Sequence, residues 1–158
     1  PLAPRLSSLA SRGLYQGLVA APRRVPLTSR PMSVASPVIA VLDDEPEMRK
    51  ALRRLLTCRG FRVEEYGSGE DLLAALSSHP LDYLLLDLHM PGINGFDVLE
   101  IFRSRQISVP VIVITAHDET GTEERVRGLG ASAYLKKPVD REALLSAIAA
   151  ATSHVPKP

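Results

Sequence analysis

Asp43 and Asp44 stand side by side after an apolar run, Asp87 closes a second such run, Thr115 closes a third, and Lys137 follows a fourth. A carboxylate at the end of an apolar run is costly to bury without a partner. Three carboxylates brought close together cannot all stay ionised unless a cation joins them or a pKa rises. A hard divalent ion with oxygen donors, Mg²⁺ above all, is the natural partner, and it would keep several of its waters. Beside such an ion, a hydroxyl (Thr115) and an ammonium (Lys137) are suited to neutralising phosphoryl oxygens. Asp87, at the centre of the set, can act as a nucleophile toward phosphorus and give an aspartyl phosphate. Each feature alone is weak. Paired aspartates after a strand are mostly surface charge, a strand-terminal threonine is usually a cap, and the lysine pair Lys136–Lys137 is usually solvated. Their joint occurrence at three or four successive strand ends carries the reading.

The elements that must position these groups alternate regularly from residue 38. Residues 38–45, "VIAVLDDE", form a short apolar run with β-branched residues, which predicts a strand ending at Asp43. Pro46 then suits the first turn of a helix. Met48, Ala51, Leu52, Leu55 and Leu56 mark its apolar face, and Gly60 ends it. "FRVEEY" (61–66) alternates as a more exposed strand, and Ser68 is placed to cap a helix through Leu72, Leu73 and Leu76 that closes near Pro80. "DYLLLD" (82–87) predicts a strand buried on both faces, followed from about Gly95 by a helix using Val98, Leu99 and Phe102. "PVIVIT" (110–115) is a fourth strand, Glu123 to Leu129 a short helix stopped by Gly130, and residues 131–138 contain a fifth strand. Asp140 is placed to cap a last helix with Leu144, Leu145 and Ile148 inward.

Strands apolar throughout, alternating with helices, predict a parallel sheet covered on both faces, a doubly wound α/β domain of flavodoxin-like (βα)5 type. In such a sheet ligands bind beyond the carboxyl ends of the strands. Right-handed crossovers with strand order 2-1-3-4-5 would set strands one, three and four side by side, gathering Asp43, Asp44, Asp87 and Thr115 in one crevice.

Composition narrows the function classes. The 158 residues are 45% hydrophobic and 23% charged, a globular balance, and only 4% aromatic with no Trp. Stacking platforms for single-stranded nucleic acid are therefore not expected. The net charge of +1 hides an asymmetry. Residues 1–37 hold five arginines (Arg5, Arg12, Arg23, Arg24, Arg30) and no acid, which leaves 14 basic against 18 acidic residues, a net −4, on the rest. That mildly acidic part lends no support to a nucleic-acid-binding surface. One cysteine, Cys58, excludes an internal disulfide and suits a reducing, cytoplasmic setting. No apolar run approaches the roughly 18 residues of a membrane span. Residues 1–37, rich in Pro, Ser, Ala and Arg, overlap in composition with a transit peptide. They are expected instead to be a disordered upstream or non-native extension, with the native start at Met32. Residues 38–152 are expected to be the domain, and 153–158 a tail or the start of a linker.

"VLDDE" (41–45), "LLLDLHMPGING" (84–95), "VIVITAHD" (111–118) and "GASAYLKKPVD" (130–140) occur in order, and Asp87, Met90, Pro91 and Gly95 meet a D-x-x-M-P-x-x-x-G pattern. Over about residues 38–152 the sequence resembles the receiver domain of two-component response regulators. The resemblance implies that Asp87 accepts a phosphoryl group from a sensor histidine kinase or a histidine phosphotransfer protein. It implies that Asp44, Asp87 and the backbone carbonyl of His89 bind Mg²⁺, with Asp43 helping through water. Thr115 and Lys137 would contact the phosphoryl group, while Lys136 faces solvent. The Lys137–Pro138 bond is expected to be cis, which an X–Pro bond permits at modest cost.

The same resemblance implies a switch. Thr115 moves toward the phosphoryl group, the aromatic Tyr134 turns inward behind it, and the face of helix four, strand five and helix five changes population, with phosphorylation-promoted homodimerisation as a frequent mode. The plainer reading makes Tyr134 a half-buried edge aromatic packed on helix five, and both readings can hold. His89 and His117 occupy positions that overhang the phosphorylated carboxylate and influence its lifetime; the plainer reading makes both exposed loop residues. Such a domain catalyses only its own phosphorylation and dephosphorylation. Two other classes compete: a Mg²⁺-dependent aspartyl-phosphate phosphatase, and a receiver-like scaffold that is not phosphorylated. Haloacid-dehalogenase-type phosphatases carry a second Asp two residues after the nucleophile, where this chain has His89. The full acidic set with Thr115 and Lys137 argues against the scaffold.

Overall fold

The structure, a computed structural model, describes residues 36–152. Residues 1–35, including the expected start at Met32, and the expected tail 153–158 lie outside the described residues. Pro37, assigned above to the extension, already belongs to the fold: its carbonyl accepts a hydrogen bond from the Arg62 backbone N–H at 2.9 Å.

Five strands alternate with five helices: β1 (Val38–Leu42), α1 (Pro46–Thr57), β2 (Arg62–Tyr66), α2 (Gly69–Ala75), β3 (Tyr83–Asp87), α3 (Gly95–Ser104), β4 (Val111–Thr115), α4 (Thr122–Gly128), β5 (Ala133–Lys136) and α5 (Arg141–Thr152). All strand pairings are parallel, in the order β2-β1-β3-β4-β5. This is the flavodoxin-like arrangement. β3 and β4 are buried at every residue, as their unbroken Leu, Ile and Val runs require of strands covered on both faces. β2, an edge strand, is only half-buried.

Alternation along the strands splits the core into two layers. Ala40, Leu42, Leu84, Leu86 and Val113 pack with Leu72 of α2, Val98, Leu99 and Phe102 of α3, and Val126 of α4. Ile39, Val41, Leu85, Ile112 and Ile114 pack with Leu52 and Leu56 of α1 and with Leu144 and Ile148 of α5. Ala51 is exposed, outside the apolar face expected of it; Met48, Leu52, Leu55 and Leu56 supply that face. Leu73, Leu76 and Leu145 are half-buried at the layer margins.

Local chemistry fixes the helix starts. Ser68 Oγ accepts from Asp71 N–H at 3.2 Å, and Asp140 Oδ1 accepts from Ala143 N–H at 2.8 Å. Asn94, not singled out from sequence, caps α3: its Oδ1 accepts from the N–H groups of Phe96 and Asp97, while Asp97 Oδ2 accepts from Asn94 N–H at 3.0 Å.

Candidate functional site

Among the described residues three polar ones are buried, Asp43, Asp87 and Thr115. All three stand at the carboxyl ends of adjacent strands: Asp43 directly after β1, Asp87 as the last residue of β3, and Thr115 as the last of β4. Asp44, one residue on, is exposed. Carboxylate oxygens of Asp43, Asp44 and Asp87 lie within 4.8 Å of one another.

Lys137 is delivered to this crevice by the backbone. Its N–H donates to the Thr115 carbonyl at 2.8 Å, and the Lys137–Pro138 peptide bond is cis. The Lys137 ammonium stands 2.8 Å from Asp43 Oδ2, 3.6 Å from Asp87 Oδ1 and 3.5 Å from Glu45 Oε1, with its side chain only 9% exposed. Lys136 points the other way and pairs with Asp118.

These charges set the protonation of the site. Burial pushes the Asp87 carboxyl above its ordinary value; Lys137 pulls it down, Asp43 and Asp44 push it further up, and a hydrogen bond from the Leu88 N–H pulls it down, leaving it raised. Burial alone would lower the Lys137 ammonium, but the hydrogen bond to Asp43 and the charges of Asp87, Asp43 and Glu45 outweigh it and hold it above the ordinary lysine value. One ammonium thus serves two buried carboxylates, with an exposed third beside them. An all-oxygen donor set carrying excess negative charge fits a small hard divalent cation, and Mg²⁺ meets that description.

Two contacts hold the carboxylate-bearing segments in place. The first turn of α3 sits directly on the end of β3, since a Cβ on Gly95 would fall 2.4 Å from the Asp87 carbonyl oxygen. Arg49 on α1 donates from its guanidinium to the Asp43 carbonyl at 2.6 Å, bracing the peptide between Asp43 and Asp44. Neither Arg49 nor Glu45 was singled out from sequence. The available signal was their i, i+4 spacing, which sets Arg49 of α1 one turn along from Glu45, the residue that precedes the helix.

Thr115 Oγ1 contacts His117 and lies 3.3 Å from His89 Nδ1. His89 and His117 are exposed residues, but their rings lie against each other with centroids 4.6 Å apart. Tyr134 is half-buried and packs in the α2–α3–α4 layer, not on α5 as its alternative reading had it. Its hydroxyl donates to Asp118 Oδ1 at 3.0 Å. Burial first and this bond second push the Tyr134 hydroxyl up to about 12.

The family model for the response regulator receiver domain matches residues 39–149. The transcriptional regulatory protein KdpE of Mycobacterium tuberculosis is 36% identical over 114 residues, 72% of this chain and 50% of that protein. The DNA-binding transcriptional regulator NtrC of Salmonella typhimurium is 34% identical over 117 residues, 74% of this chain and 25% of that protein. The chain thus spans half or less of the length of these curated relatives. Among solved structures, FixJ-N superposes with a TM-score of 0.71 at 30% identity, covering 78% of this chain and 98% of that one. No helix among the described residues is long and apolar enough to cross a membrane.

Proposed function

The chain belongs to the response regulator receiver domain family, and from that membership we propose that residues 38–152 form a receiver domain whose Asp87 accepts a phosphoryl group from a sensor histidine kinase or a histidine phosphotransfer protein. The observation that carries the reading is the meeting of Asp87 with Lys137 at 3.6 Å inside a cluster of three carboxylates. An Asp87 carboxylate oxygen attacks phosphorus, the bond from phosphorus to the donor nitrogen breaks, and the electron pair leaves with the donor imidazole. Asp44, Asp87 and the His89 backbone carbonyl would hold Mg²⁺, with Asp43 assisting through water; the ion supplies charge neutralisation to the phosphoryl oxygens. Lys137 supplies the fixed protein cation beside the reacting carboxylate. Its proximity also favours the ionised form of Asp87 that attack requires, against the burial that disfavours it. The Thr115 hydroxyl offers a proton to a phosphoryl oxygen.

In this reading the domain catalyses only its own phosphorylation and dephosphorylation and acts in the cytoplasm. The aspartyl phosphate biases Thr115, Tyr134 and the surface of α4, β5 and α5, with homodimerisation through α4 and α5 as the family's frequent mode. We assign this domain no contact with nucleic acid and none with a membrane. NtrC binds DNA as a whole protein, and this chain matches a quarter of its length.

The test is intact mass after incubation with acetyl phosphate and Mg²⁺. A single phosphoryl adduct that needs Mg²⁺ and is lost in Asp87→Asn is expected. Many turnovers of released phosphate would favour a phosphatase, and no adduct a scaffold; either result overturns the proposal.

A further inference from the structure

We propose that the His89 side chain is a positioning residue that holds the Thr115 hydroxyl in its unphosphorylated setting, and that Phe96 and Arg125 brace His89 for that task. The inference rests on the phosphoacceptor reading of Asp87.

A threonine hydroxyl has one proton to donate and two lone pairs to accept with. At Thr115, a fully buried residue, the proton goes to the His117 carbonyl at 3.2 Å. The His117 backbone N–H donates back to the same oxygen at 3.2 Å. His89 Nδ1 stands 3.3 Å from that oxygen. Since the hydroxyl proton is already committed, the contact is a hydrogen bond when Nδ1 carries the imidazole proton, and it fills the last lone pair. The hydroxyl is then saturated. It can turn toward a phosphoryl oxygen only by giving up partners it already has, and His89 is the partner contributed by a side chain from another strand end.

An imidazole on an exposed loop would ordinarily sample several rotamers. Here two ring contacts restrict it, and a third contact braces one of those rings. Its ring lies on that of His117, centroids 4.6 Å apart and tilted by 51°. The Phe96 ring of α3 meets it edge-on at 6.5 Å and 90°. The Arg125 guanidinium of α4 sits 4.1 Å above the centroid of that same Phe96 ring. T-shaped ring pairs and cation–π contacts are individually modest but orientation-specific. A continuous run of contacts therefore leads from α4 through Phe96 and His89 to the hydroxyl at the end of β4. Displacing Arg125 loosens Phe96 and His89, and releasing His89 frees Thr115.

The direction of the effect separates this role from a direct contact between His89 and the phosphoryl group. Loss of a contact to the phosphoryl group would weaken its binding, whereas loss of a restraint on Thr115 strengthens it. The probe is beryllofluoride, a stable mimic of a phosphoryl group on a carboxylate, titrated into the full chain at saturating Mg²⁺, with the Mg²⁺ affinity of each variant measured beforehand. One net hydrogen bond corresponds to roughly a fivefold change in equilibrium. His89→Ala is expected to bind beryllofluoride roughly fivefold tighter, with the Thr115 methyl resonance shifted toward its bound position before ligand is added. Arg125→Gln is expected to shift both readouts the same way by a smaller factor. The double variant should match His89→Ala alone, because Arg125 acts through His89.

Unchanged or weaker binding in His89→Ala, with the wild-type chain binding normally, overturns the positioning role and leaves the function of Asp87 standing. Effects that multiply in the double variant overturn the bracing by Arg125. A wild-type chain that fails to bind beryllofluoride, or an Asp87→Asn variant that binds it equally well, overturns the phosphoacceptor reading and this proposal with it.

Discussion

The contact between Gly95 and the end of β3 makes a quantitative test of how Asp87 is held. A Cβ on residue 95 would lie 2.4 Å from the Asp87 carbonyl oxygen, 2.7 Å from Leu88 Cα and 3.1 Å from the Asp87 carbonyl carbon. These are backbone atoms, so no side chain can swing aside to make room. Ordinary contact begins at 3.4 Å, and α3 and the end of β3 must therefore separate by about 1 Å to admit a methyl group. Overpacking of this kind costs about 1–3 kcal/mol. Replacing glycine at a helical position returns part of that through lower unfolded-state entropy, roughly 0.5–1 kcal/mol. The expected net loss for Gly95→Ala is about 1–2 kcal/mol, a fall in Tm of roughly 5–10 °C for a domain of this size. The effect on chemistry should be larger, because a 1 Å displacement of a reacting group can lower a rate on the order of 100-fold.

The assay pairs urea unfolding with the rate of Asp87 phosphorylation by acetyl phosphate at saturating Mg²⁺, well below the Tm of the variant. Gly69→Ala is the control. Its Cβ would meet the Ile93 carbonyl at 2.6 Å, an equally tight contact that lies in the loop before α3 and away from the Asp87 peptide. It should lose comparable stability and little rate. A Gly95→Ala variant that phosphorylates within about threefold of wild type would refute the argument that α3 sets the position of Asp87 through this contact.

Three further outcomes follow from the charges. Because the Asp87 carboxyl is raised, chiefly by burial, the folded chain holds its proton more tightly than the unfolded chain, and ionisation destabilises the fold. In melts with chelator present, Asp87→Asn should be more stable than wild type at pH 7, and the difference should shrink as pH falls through the carboxylate range; a less stable variant at pH 7 sinks this reasoning. Lys137 has a raised pKa, so its contribution is fully present at neutral pH and is lost only as pH climbs past the ordinary lysine range. Lys137→Met leaves Asp43 and Asp87 facing each other without their ammonium; it should lose about 3 kcal/mol at pH 7 without metal, and Mg²⁺ should raise its Tm more than that of wild type. Tyr66 and Tyr134 are both pushed up to about 12, each first by burial and then by a hydrogen bond to a carboxylate. Tyr134→Phe should remove one tyrosine from the late step of a spectroscopic alkaline titration; an unchanged late step would show that burial and the bond to Asp118 do not hold the Tyr134 hydroxyl up.

What could be read from the sequence, and what could not, divides along physical lines. β1, β3 and β4 were legible because strands buried on both faces must be apolar at every position, and the first polar residue after each run then marks the strand end. That rule alone located Asp43, Asp87 and Thr115, and the topology brought them together. Caps were legible where Ser or Asp precedes a helix, as at Ser68 and Asp140; Asn94 was hidden inside a motif already read for its turn. Contacts between side chains of a loop and of two different helices leave no such trace. Nothing in the spacing of His89, Phe96 and Arg125 announces that their side chains meet, because the meeting depends on how α3 and α4 lie across the sheet.

Tyr134 falls between these cases. Alternation within β5 fixes that Tyr134 and Leu135 face opposite layers, but not which layer each faces. Register decides it: Tyr134 pairs with Val113 and Leu135 with Ile114, and in a parallel sheet paired residues share a face. Val113 lies in the layer of α2, α3 and α4, and Ile114 in the layer of α1 and α5. The Tyr134 ring is therefore committed to the layer that holds Val126 and Phe96, the side on which Arg125 covers the Phe96 ring. A one-residue slip of β5 would have put it against α5 instead, and no local feature of "ASAYLKKP" excludes that slip. What fixes the register lies outside the strand: the Lys137 N–H on the Thr115 carbonyl at 2.8 Å, and the Lys137 ammonium on Asp43. The groups that build the carboxylate–lysine crevice thus also determine which layer Tyr134 faces.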